Sequence, residues 1–550
     1  MPFRNLRRSG SVMNTTFDPE TKVWSGLHQL PVYNPEASFG QILLAVLRQN
    51  PTKVTQIDGD TGREMTREEM RLRAIRAAQN LTSLGYQQGD LVTVACSNSE
   101  NLAPLVIALL TIGTPFNTLA PTCGVKEMAH MLKITQPKLV FCDATNHTTV
   151  KKAVDLVVEQ KPQIYVFEDD SVDQNKAEDL FKETGTELMY LAPYLGNSRE
   201  ALGIILCSSG TTGPIKGVSL SHAHLITAYG NAVNLANFGL VFNFSPLYWA
   251  TGLFLLMHSL INGDPRLITR KAFSEDVFFD LLEKYPIRLI FTPPCYAQLA
   301  LRHPRAEMTN WSNITIWALG GSLVSEILRE ELDKRLPNGR SSNWLGNSEI
   351  GGICVDIRKR KPYSVGQLMA NISAKIVDEN GNAMDIGKHG ELLLKFREKI
   401  LGYFKNPEAT TEAIDDEGWL RTGDVGYFDD EGFLFLTDRK KDMLKYMNYQ
   451  VSPWDLEELI GRIEGVEQVC VIGLPAANLD TELPTAVIQR SNGSNLTEEE
   501  VTKTVNDEVA DYRKLRGGVF FVEQFPMTPT GKILRKEVRK IILDTLKSKE

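Results

Sequence analysis

The chain has few cysteines and no surplus of positive charge. Its 550 residues include seven cysteines, an odd number that is scattered without any Cys-x-x-Cys pair. This usage argues against a disulfide framework and a zinc site, and reduced thiols are typical of an intracellular protein. Lys and Arg number 60 against 68 Asp and Glu, for a net charge of −8. A dedicated nucleic-acid binder needs a basic surplus, so no nucleic-acid partner is expected.

One long stretch lacks charge altogether, but it does not predict a membrane span. Residues 217–263 contain no Asp, Glu, Lys or Arg. Asn231, Asn234, Asn237 and Pro246 interrupt this stretch and divide it into pieces too short to cross a bilayer. No transmembrane segment is therefore expected, and the stretch is interpreted as a domain core. Its predicted pieces are a helix capped by Ser221 and reaching about Asn234, a strand over 239–244 and a helix over 251–260.

The order of the predicted elements indicates an α/β protein with more than one folding unit. In the first part, helices such as the one capped by Thr66 alternate with short strands, which is typical of largely parallel sheets. From about Val365, short strands and Gly/Asp turns indicate a small β-barrel-like part. We predict a large N-terminal domain over residues 1–438 and a small α+β C-terminal domain over residues 439–550. The other predicted elements are helices over 66–84 and 101–112 and strands over 91–95, 138–142, 163–167, 202–206, 289–292 and 314–319.

Residues 208–217 form the most informative stretch. They follow a predicted buried strand and combine Ser, Thr and Gly residues with Lys216. Glycines let successive backbone amides point into one concavity, and the hydroxyls and lysine add donors for phosphate oxygens. A polar surface turn is the alternative, but this composition directly after a buried strand favours phosphate binding. The residues assigned to this phosphate loop are Ser208, Ser209, Gly210, Thr211, Thr212, Gly213 and Lys216.

Four further clusters carry charged or hydroxyl side chains, three of them beside glycine, and each is unremarkable by itself. A carboxylate beside a phosphate site is a suitable Mg²⁺ ligand, which makes Glu349 the metal candidate. Asp424 is placed to hold ribose hydroxyls. The clusters are Gly346-Asn347-Ser348-Glu349, Thr422-Gly423-Asp424, the cations Arg439, Lys441 and Lys445, and Pro529-Thr530-Gly531-Lys532.

Together, and in this order, the clusters resemble the adenylate-forming superfamily of acyl-CoA synthetases, 4-coumarate–CoA ligases and beetle luciferases. The resemblance covers residues 35 to 540 and is closest to the luciferase and 4-coumarate–CoA ligase branch, as in Gly402-Tyr403 and residues 514–519. In such enzymes a carboxylate attacks the α-phosphorus of Mg·ATP to give an acyl-adenylate and pyrophosphate. The thiol of CoA then displaces AMP. The resemblance therefore implies ATP, Mg²⁺, CoA and a small carboxylic acid as cofactors and substrates.

The resemblance also implies a role for each cluster. The phosphate loop would cradle the pyrophosphate, and Glu349 would bind Mg²⁺ with Ser348 near the α-phosphate. Asp424 would hold the ribose, with Arg439 near ribose and phosphate. The remaining ATP-site residues would be Gly320, Gly321, Ser322, Leu345, Gly346 and Asn347, and the substrate pocket would include Tyr248, Trp249, Thr251, Gly320 and Gly321.

In the family the small domain is mobile and presents two lysines in turn. Lys532 would bridge the substrate carboxylate and the α-phosphate during adenylation. Rotation about Lys441, the implied hinge, would then bring in Lys445 for thioester formation. The implied catalytic residues are thus Lys532, Lys445, Ser348 and Glu349.

The sequence departs from the family pattern at several positions. Pro214 comes earlier in the phosphate loop than in relatives, and Leu345 replaces a tyrosine that packs on adenine. Tyr248-Trp249 stands where relatives carry a histidine pair. Asn448 replaces a glycine, although asparagine also adopts positive φ. None of these changes removes a catalytic charge.

The leading functional hypothesis is an ATP-dependent acid–CoA ligase acting on a fatty or aryl acid. Activation of an amino acid would require a carboxylate to pair with the substrate ammonium, and residues 217–263 offer none. The alternatives are a luciferase-type monooxygenase and a non-catalytic acyl- or nucleotide-binding protein. An intracellular, cytoplasmic location is expected, since the peroxisomal signal Ser-Lys-Leu is absent; the basic N-terminus is also compatible with a mitochondrial presequence.

Overall fold

The computed structural model describes most of the chain. The described residues are 15–30, 33–34, 36–168, 175–208, 215–230, 238–357, 359–447, 449–476, 481–528 and 532–547. Several predicted features lie outside them, namely Ser209, Gly210, Thr211, Thr212, Gly213 and Pro214 of the phosphate loop, the end of the helix toward Asn234, Asn448, and Pro529-Thr530-Gly531.

Strands and helices are numbered in chain order. The strands are β1 (Thr16–Asp18), β2 (Val23–Ser25), β3 (Val54–Asp58), β4 (Glu64–Thr66), β5 (Val92–Ala95), β6 (Phe116–Thr118), β7 (Leu139–Asp143), β8 (Gln163–Phe167), β9 (Asn175–Lys176), β10 (Leu202–Ser208), β11 (Lys216–Ser221), β12 (Val241–Phe242), β13 (Arg266–Ile268), β14 (Leu289–Thr292), β15 (Ile316–Leu319), β16 (Arg340–Asn347), β17 (Gly351–Val355), β18 (Gln367–Leu368), β19 (Ile372–Val377), β20 (Gly390–Phe396), β21 (Leu420–Phe428), β22 (Leu434–Arg439), β23 (Leu444–Tyr446), β24 (Tyr449–Val451), β25 (Val466–Pro475), β26 (Glu482–Arg490) and β27 (Val519–Val522). The helices are α1 (Phe39–Leu47), α2 (Arg67–Ser83), α3 (Leu102–Ile112), α4 (Val125–Thr135), α5 (His147–Val157), α6 (His222–Gly230), α7 (Ala250–Asn262), α8 (Glu275–Lys284), α9 (Pro294–Arg302), α10 (Glu326–Arg335), α11 (Pro407–Ala413), α12 (Pro453–Ile460), α13 (Glu498–Glu508) and α14 (Arg535–Lys547).

The first large sheet ends in the hairpin that carries the phosphate loop. Its seven strands run in the order β11-β10-β6-β5-β7-β8-β9. All neighbours are parallel except the antiparallel pair β10 and β11. In that pair Ser208 lies opposite Lys216, so both ends of the loop meet at one point of the sheet.

The second large sheet has nine strands in the order β18-β17-β16-β15-β14-β12-β13-β3-β4. Six neighbouring strands of this sheet are parallel, namely β16, β15, β14, β12, β13 and β3. Open parallel sheets bind ligands outside the carboxyl ends of their strands. Gly320 directly follows β15 at this edge, and Tyr248 and Trp249 follow β12.

Two smaller units complete the fold. A six-stranded antiparallel sheet, in the order β1-β2-β19-β20-β21-β22, forms the β part of the large domain. Trp24 stacks on Phe428 in its core, with ring centroids 4.7 Å apart. The C-terminal region combines the sheet β25-β26-β27 with helices α12 to α14. This α/β architecture, with parallel sheets and a small α+β C-terminal domain, confirms the predicted fold class.

Local patterns predicted several elements well. Thr66 caps α2, its hydroxyl accepting the Glu69 amide, and the strand over 163–167 has the predicted bounds. The predicted strand over 239–244 is wrong at both ends, because β12 contains only Val241 and Phe242. Gly239 has a positive φ of 82°, and the Asp264 carboxylate binds its amide, so the chain there turns before it enters the sheet.

Several polar contacts join the C-terminal region to the large domain. Arg462 donates to the Tyr363 hydroxyl at 2.7 Å, and the Glu326 amide donates to the Glu458 carboxylate at 3.2 Å. Polar interfaces of this kind are typical of domains that move relative to each other. Within the described residues, no helix is both long and apolar enough to cross a membrane.

Candidate active site

Tyr403 connects the phosphate-loop lysine to the predicted metal ligand. The Lys216 ammonium lies 5.1 Å from the centroid of the Tyr403 ring, within cation–π distance. The Tyr403 hydroxyl donates a 2.8 Å hydrogen bond to Glu349 Oε1, 54 residues away in sequence. Burial and the negative charge of Glu349 raise the pKa of Tyr403, which keeps the phenol protonated as a donor.

Backbone pairing fixes Tyr403 at this point. The segment that contains it runs alongside β11, with Tyr403 bridged to Val218. The Phe404 amide donates to the Gly217 carbonyl at 2.7 Å, and the Ser219 amide donates to the Gly402 carbonyl at 2.9 Å. Any movement of Tyr403 would therefore break backbone hydrogen bonds on both of its sides.

Glu349 lies in the tight loop between β16 and β17. Asn347 shapes this loop, because its side-chain oxygen accepts the Ile350 amide at 2.8 Å. Gly346 has no room for a side chain, since a Cβ there would lie 2.6 Å from the Gly351 carbonyl oxygen. Ser348 and Glu349 are half-buried in the same loop. Leu345, at the end of the strand, packs against the core of the six-stranded sheet.

A second group of charges joins the two domains. Arg439 Nε lies 3.1 Å from Asp424 Oδ1, because the two residues face each other across β21 and β22. Burial raises the pKa of Asp424, while the nearby cations Arg439, Lys532 and Lys441 lower it. Lys532 belongs to the C-terminal region, and its ammonium is near enough to the Asp424 carboxylate for each charge to shift the pKa of the other.

The surroundings of Lys532 lower the pKa of its ammonium group. Lys532 is exposed as a whole residue, yet surrounding protein desolvates its ammonium and lowers its pKa. The positive charge of Arg439 lowers this pKa further, and Asp442 and Asp424 oppose the shift. A cation held in this way is well suited to bind anionic oxygens, which would replace the missing solvation.

The predicted hinge lies in the short turn after β22. The Lys440 amide donates to the Gly423 carbonyl at 2.8 Å, which ties the start of the turn to the large domain. Burial lowers the pKa of Lys441 to about 8. Before the turn, the buried Asp438 accepts the Trp454 amide of α12 at 3.1 Å, and burial raises its pKa to about 6. The contact between Asp438 and Trp454 spans the predicted hinge.

Lys445 is not part of the charge group around Asp424. It lies exposed on β23, where its amide donates to Glu482 and its carbonyl accepts the Thr481 hydroxyl. Both partners belong to the C-terminal region. The structure thus brings Lys532 into the charge group around Asp424 and leaves Lys445 on the surface of the small domain.

The residues predicted to line the substrate pocket lie in two parts of the fold, which we call its predicted walls. Tyr248 and Trp249 form one, with rings perpendicular to each other and centroids 4.8 Å apart. Thr251 follows on α7, its hydroxyl donating to Ser245 at 3.1 Å. Gly320 is buried in the other wall, followed by the exposed Gly321, with φ of 90°, and the exposed Ser322.

The structure groups the predicted residues into two clusters. Lys216 and Glu349 meet through Tyr403, and Asp424, Arg439 and Lys532 meet across the domains. Sequence reasoning noted the Gly402-Tyr403 motif as a mark of the family branch but assigned it no role. The Gly402-Tyr403 motif was the only sequence feature that pointed to this residue. The hydrogen bond of Tyr403 to Glu349 depends on how the second large sheet packs against β11.

Asp424, Arg439 and Lys532 bring an acid and two cations from the large domain and the C-terminal region into one electrostatic neighbourhood, as is expected of an adenylate-forming protein. The family model described as AMP-binding enzyme matches residues 44–404, and that of the AMP-binding enzyme C-terminal domain matches residues 455–532. The chain belongs to this family, which confirms the resemblance seen in the sequence.

Individual relatives agree with this assignment. The chain is 30% identical to 4-coumarate–CoA ligase 4 of Arabidopsis thaliana over 519 residues, covering 90% of this chain and 89% of the relative. It is 28% identical to luciferin 4-monooxygenase of Luciola mingrelica over 486 residues, covering 85% and 87%. The ATP-bound structure of MatB from Rhodopseudomonas palustris superposes with a TM-score of 0.82 at 23% identity, covering 93% and 100%, and supports the fold.

Proposed function

We propose that the protein is an ATP-dependent carboxylic acid–CoA ligase. In the first step an oxygen of the acid carboxylate attacks the α-phosphorus of ATP, and the bond to pyrophosphate breaks. In the second step the CoA sulfur attacks the acyl carbon, losing its proton, and AMP leaves. The products are acyl-CoA, AMP and pyrophosphate. The 4-coumarate–CoA ligase among the relatives supports the assignment of CoA as the acceptor.

The juxtaposition of Asp424, Arg439 and Lys532 carries this proposal. The first step brings together two anions, the carboxylate and the α-phosphate, so cations must offset their repulsion in the transition state. Arg439 and Lys532, both C-terminal to the predicted domain boundary, would supply two such cations next to Asp424 of the large domain. Asp424, already paired with Arg439, offers a carboxylate to the ribose hydroxyls.

The opposite end of ATP would lie at the hairpin of β10 and β11. Ser208, Lys216 and the loop between them would bind the β- and γ-phosphates. For Mg²⁺, the half-buried Ser348 and Glu349 offer the hard oxygen ligands that this ion prefers alongside phosphates and water. When bound, Mg²⁺ would neutralise phosphate charge, while Tyr403 orients the Glu349 carboxylate through its hydrogen bond.

The second step would need a different domain arrangement. Lys532 interacts electrostatically with Asp424 and Arg439, whereas Lys445 lies exposed on the small domain with partners from that domain. Rotation about Lys441 would withdraw Lys532 and let Lys445 approach the acyl-adenylate. The hydrogen bond of Arg462 to Tyr363 is exposed, so water could replace it during such a rotation and it would oppose the rotation only weakly.

The test measures pyrophosphate release with ATP, Mg²⁺ and a panel of aliphatic and aryl acids, with and without CoA. We expect acid-dependent release, and acyl-CoA as the product when CoA is present. Asp424→Asn tests the nucleotide site separately. This variant preserves the shape of the side chain but removes its negative charge, so it should weaken ATP binding. Absence of release with every acid would refute the enzyme assignment, and release without a thioester product would refute the ligase assignment.

A further inference from the structure

The two walls of the predicted pocket are connected underneath by buried aromatic rings. Phe254 lies one helical turn beyond Thr251 on α7, so both side chains share one face of the helix. The Phe254 ring contacts Trp344 edge to face, with centroids 5.5 Å apart and an interplanar angle of 89°. Trp344 in turn contacts Phe291, with centroids 5.3 Å apart. These three rings, Phe254, Trp344 and Phe291, are called the pocket floor.

The pocket floor reaches the opposite wall directly. A Cβ added at Gly320 would lie 2.5 Å from the Trp344 carbonyl oxygen and 3.1 Å from a ring carbon of Phe291. Even a methyl group therefore has no room between Gly320 and these residues. The ring contacts therefore begin at Phe254, one helical turn after Thr251, and end against Gly320.

The floor residues are nearly but not fully buried. Phe254 is 8% exposed, Phe291 7% and Trp344 5%, whereas Trp317, in the core of the same sheet, is 0% exposed. All three rings belong to the hydrophobic core, so space for a longer acyl chain would have to be taken from that core.

Trp344 is held too firmly to move aside for a long substrate. Its indole N–H donates to the Ser342 hydroxyl at 2.8 Å, and Ser342 donates to Asp356 at 2.8 Å. Asp356 is paired with the buried Arg329. Rotating the indole out of the floor would break a hydrogen bond within a buried polar chain, where unpaired groups are costly.

Phe254 is equally confined from behind. The His258 ring stacks on it with centroids 6.0 Å apart, and the Tyr229 ring lies 6.1 Å away. All three residues are buried. Displacing Phe254 would require repacking this aromatic group, which tightly packed interiors resist.

We propose that Trp344 limits the substrate to a short carboxylic acid, whose carbon skeleton ends at the pocket floor. This inference rests on the proposed function and narrows it, since a long-chain fatty acid would need space that the floor occupies. Trp344 is thus a specificity-determining residue, and the chemistry at the carboxylate does not require it.

The test uses non-hydrolysable acyl-sulfamoyl adenosines that differ only in the acyl group: acetyl, butanoyl, hexanoyl and decanoyl. Their affinities are measured by calorimetry on the full chain, so the readout does not need catalysis. We expect tight binding of the acetyl and butanoyl analogues and at least about tenfold weaker binding of the decanoyl analogue. Trp344→Ala should strengthen decanoyl binding by about tenfold or more, because it opens space below the acyl group.

Trp311→Ala is the matched control. Trp311 is also 5% exposed and donates its indole N–H, to the Ala306 carbonyl, but it packs in a separate cluster with Phe279 and Trp317. The Trp311→Ala variant should leave the dependence of affinity on acyl-chain length unchanged. If Trp344→Ala does not fold, Trp344→Phe removes less volume and should shift the profile in the same direction. Equal binding of decanoyl and butanoyl by the unaltered protein, or binding of no analogue, would overturn the inference.

The outcomes separate this inference from the proposed function. Analogues that bind with the expected length limit, but without pyrophosphate release from any acid, would refute the ligase and leave the pocket limit standing. Pyrophosphate release from decanoate as efficient as from butanoate would refute the pocket limit and leave the ligase standing.

Discussion

Replacing Lys532 by alanine tests the proposed acid activation most directly. A local turn presents this lysine, since its amide donates to the Thr528 hydroxyl at 3.1 Å and its carbonyl accepts the Thr528 amide at 2.8 Å. Both contacts use the backbone of residue 532. The substitution should therefore remove the ammonium and leave the turn intact.

The expected loss is large because Lys532 would supply a positive charge at the reacting carboxylate that its neighbour Arg439 cannot fully replace. Arg439 is already paired with Asp424 at 3.1 Å, so much of its charge is compensated. Removing one transition-state donor of this kind costs about 10²- to 10³-fold in rate, or about 2.7–4 kcal/mol. We expect this loss in pyrophosphate release, and little change in thioester formation from preformed acyl-AMP and CoA.

Two separate assays measure these steps, one with acid and ATP and the other with synthetic acyl-AMP and CoA. Lys445→Ala should give the reverse pattern, and Lys540→Ala, an exposed lysine on α14, should affect neither step. Equal loss of both steps in Lys532→Ala would refute the assignment of separate roles to the two lysines.

Three further results are expected. Because burial and Arg439 lower the pKa of Lys532 and the ammonium is the active form, adenylation should be lost as pH rises through that lowered pKa. Lys532→Arg should remove this alkaline limb from the pH–rate profile, and an unchanged limb would assign it to another group. Tyr403→Phe deletes a charge-assisted hydrogen bond to Glu349 and should raise the Mg²⁺ concentration for half-maximal adenylation by roughly tenfold; an unchanged Mg²⁺ titration would contradict this. Thr66→Ala removes the cap of α2 and should lower the free energy of unfolding by about 1 kcal/mol in a denaturant titration, with Thr66→Ser as the conservative control.

Sequence reasoning succeeded where the signal lies within one element. Helix α2 follows from Thr66 and the acidic residues after it, and β8 follows from its apolar run, since capping and side-chain periodicity act over a few residues. It failed at the strand predicted over 239–244, where Asp264, far along the chain, binds the Gly239 amide and delays entry into the sheet.

The candidate site divides in the same way. The order of the clusters from Lys216 to Lys532 was enough to predict the family, because each cluster is a short motif. The pairing of Asp424 with Arg439 is partly local, because the two residues lie on strands that follow each other in the chain. The position of Lys532 near this pair depends on how the C-terminal region docks, which no local pattern encodes.

The sequence by itself therefore determined the element types, the family and the identity of the charged groups. Only the tertiary structure decided that Tyr403 links Lys216 to Glu349 and that Trp344 meets Phe254 and Phe291 beneath Gly320. Motifs and caps act between neighbours in the chain, whereas these contacts depend on strand order and close packing between residues far apart in sequence.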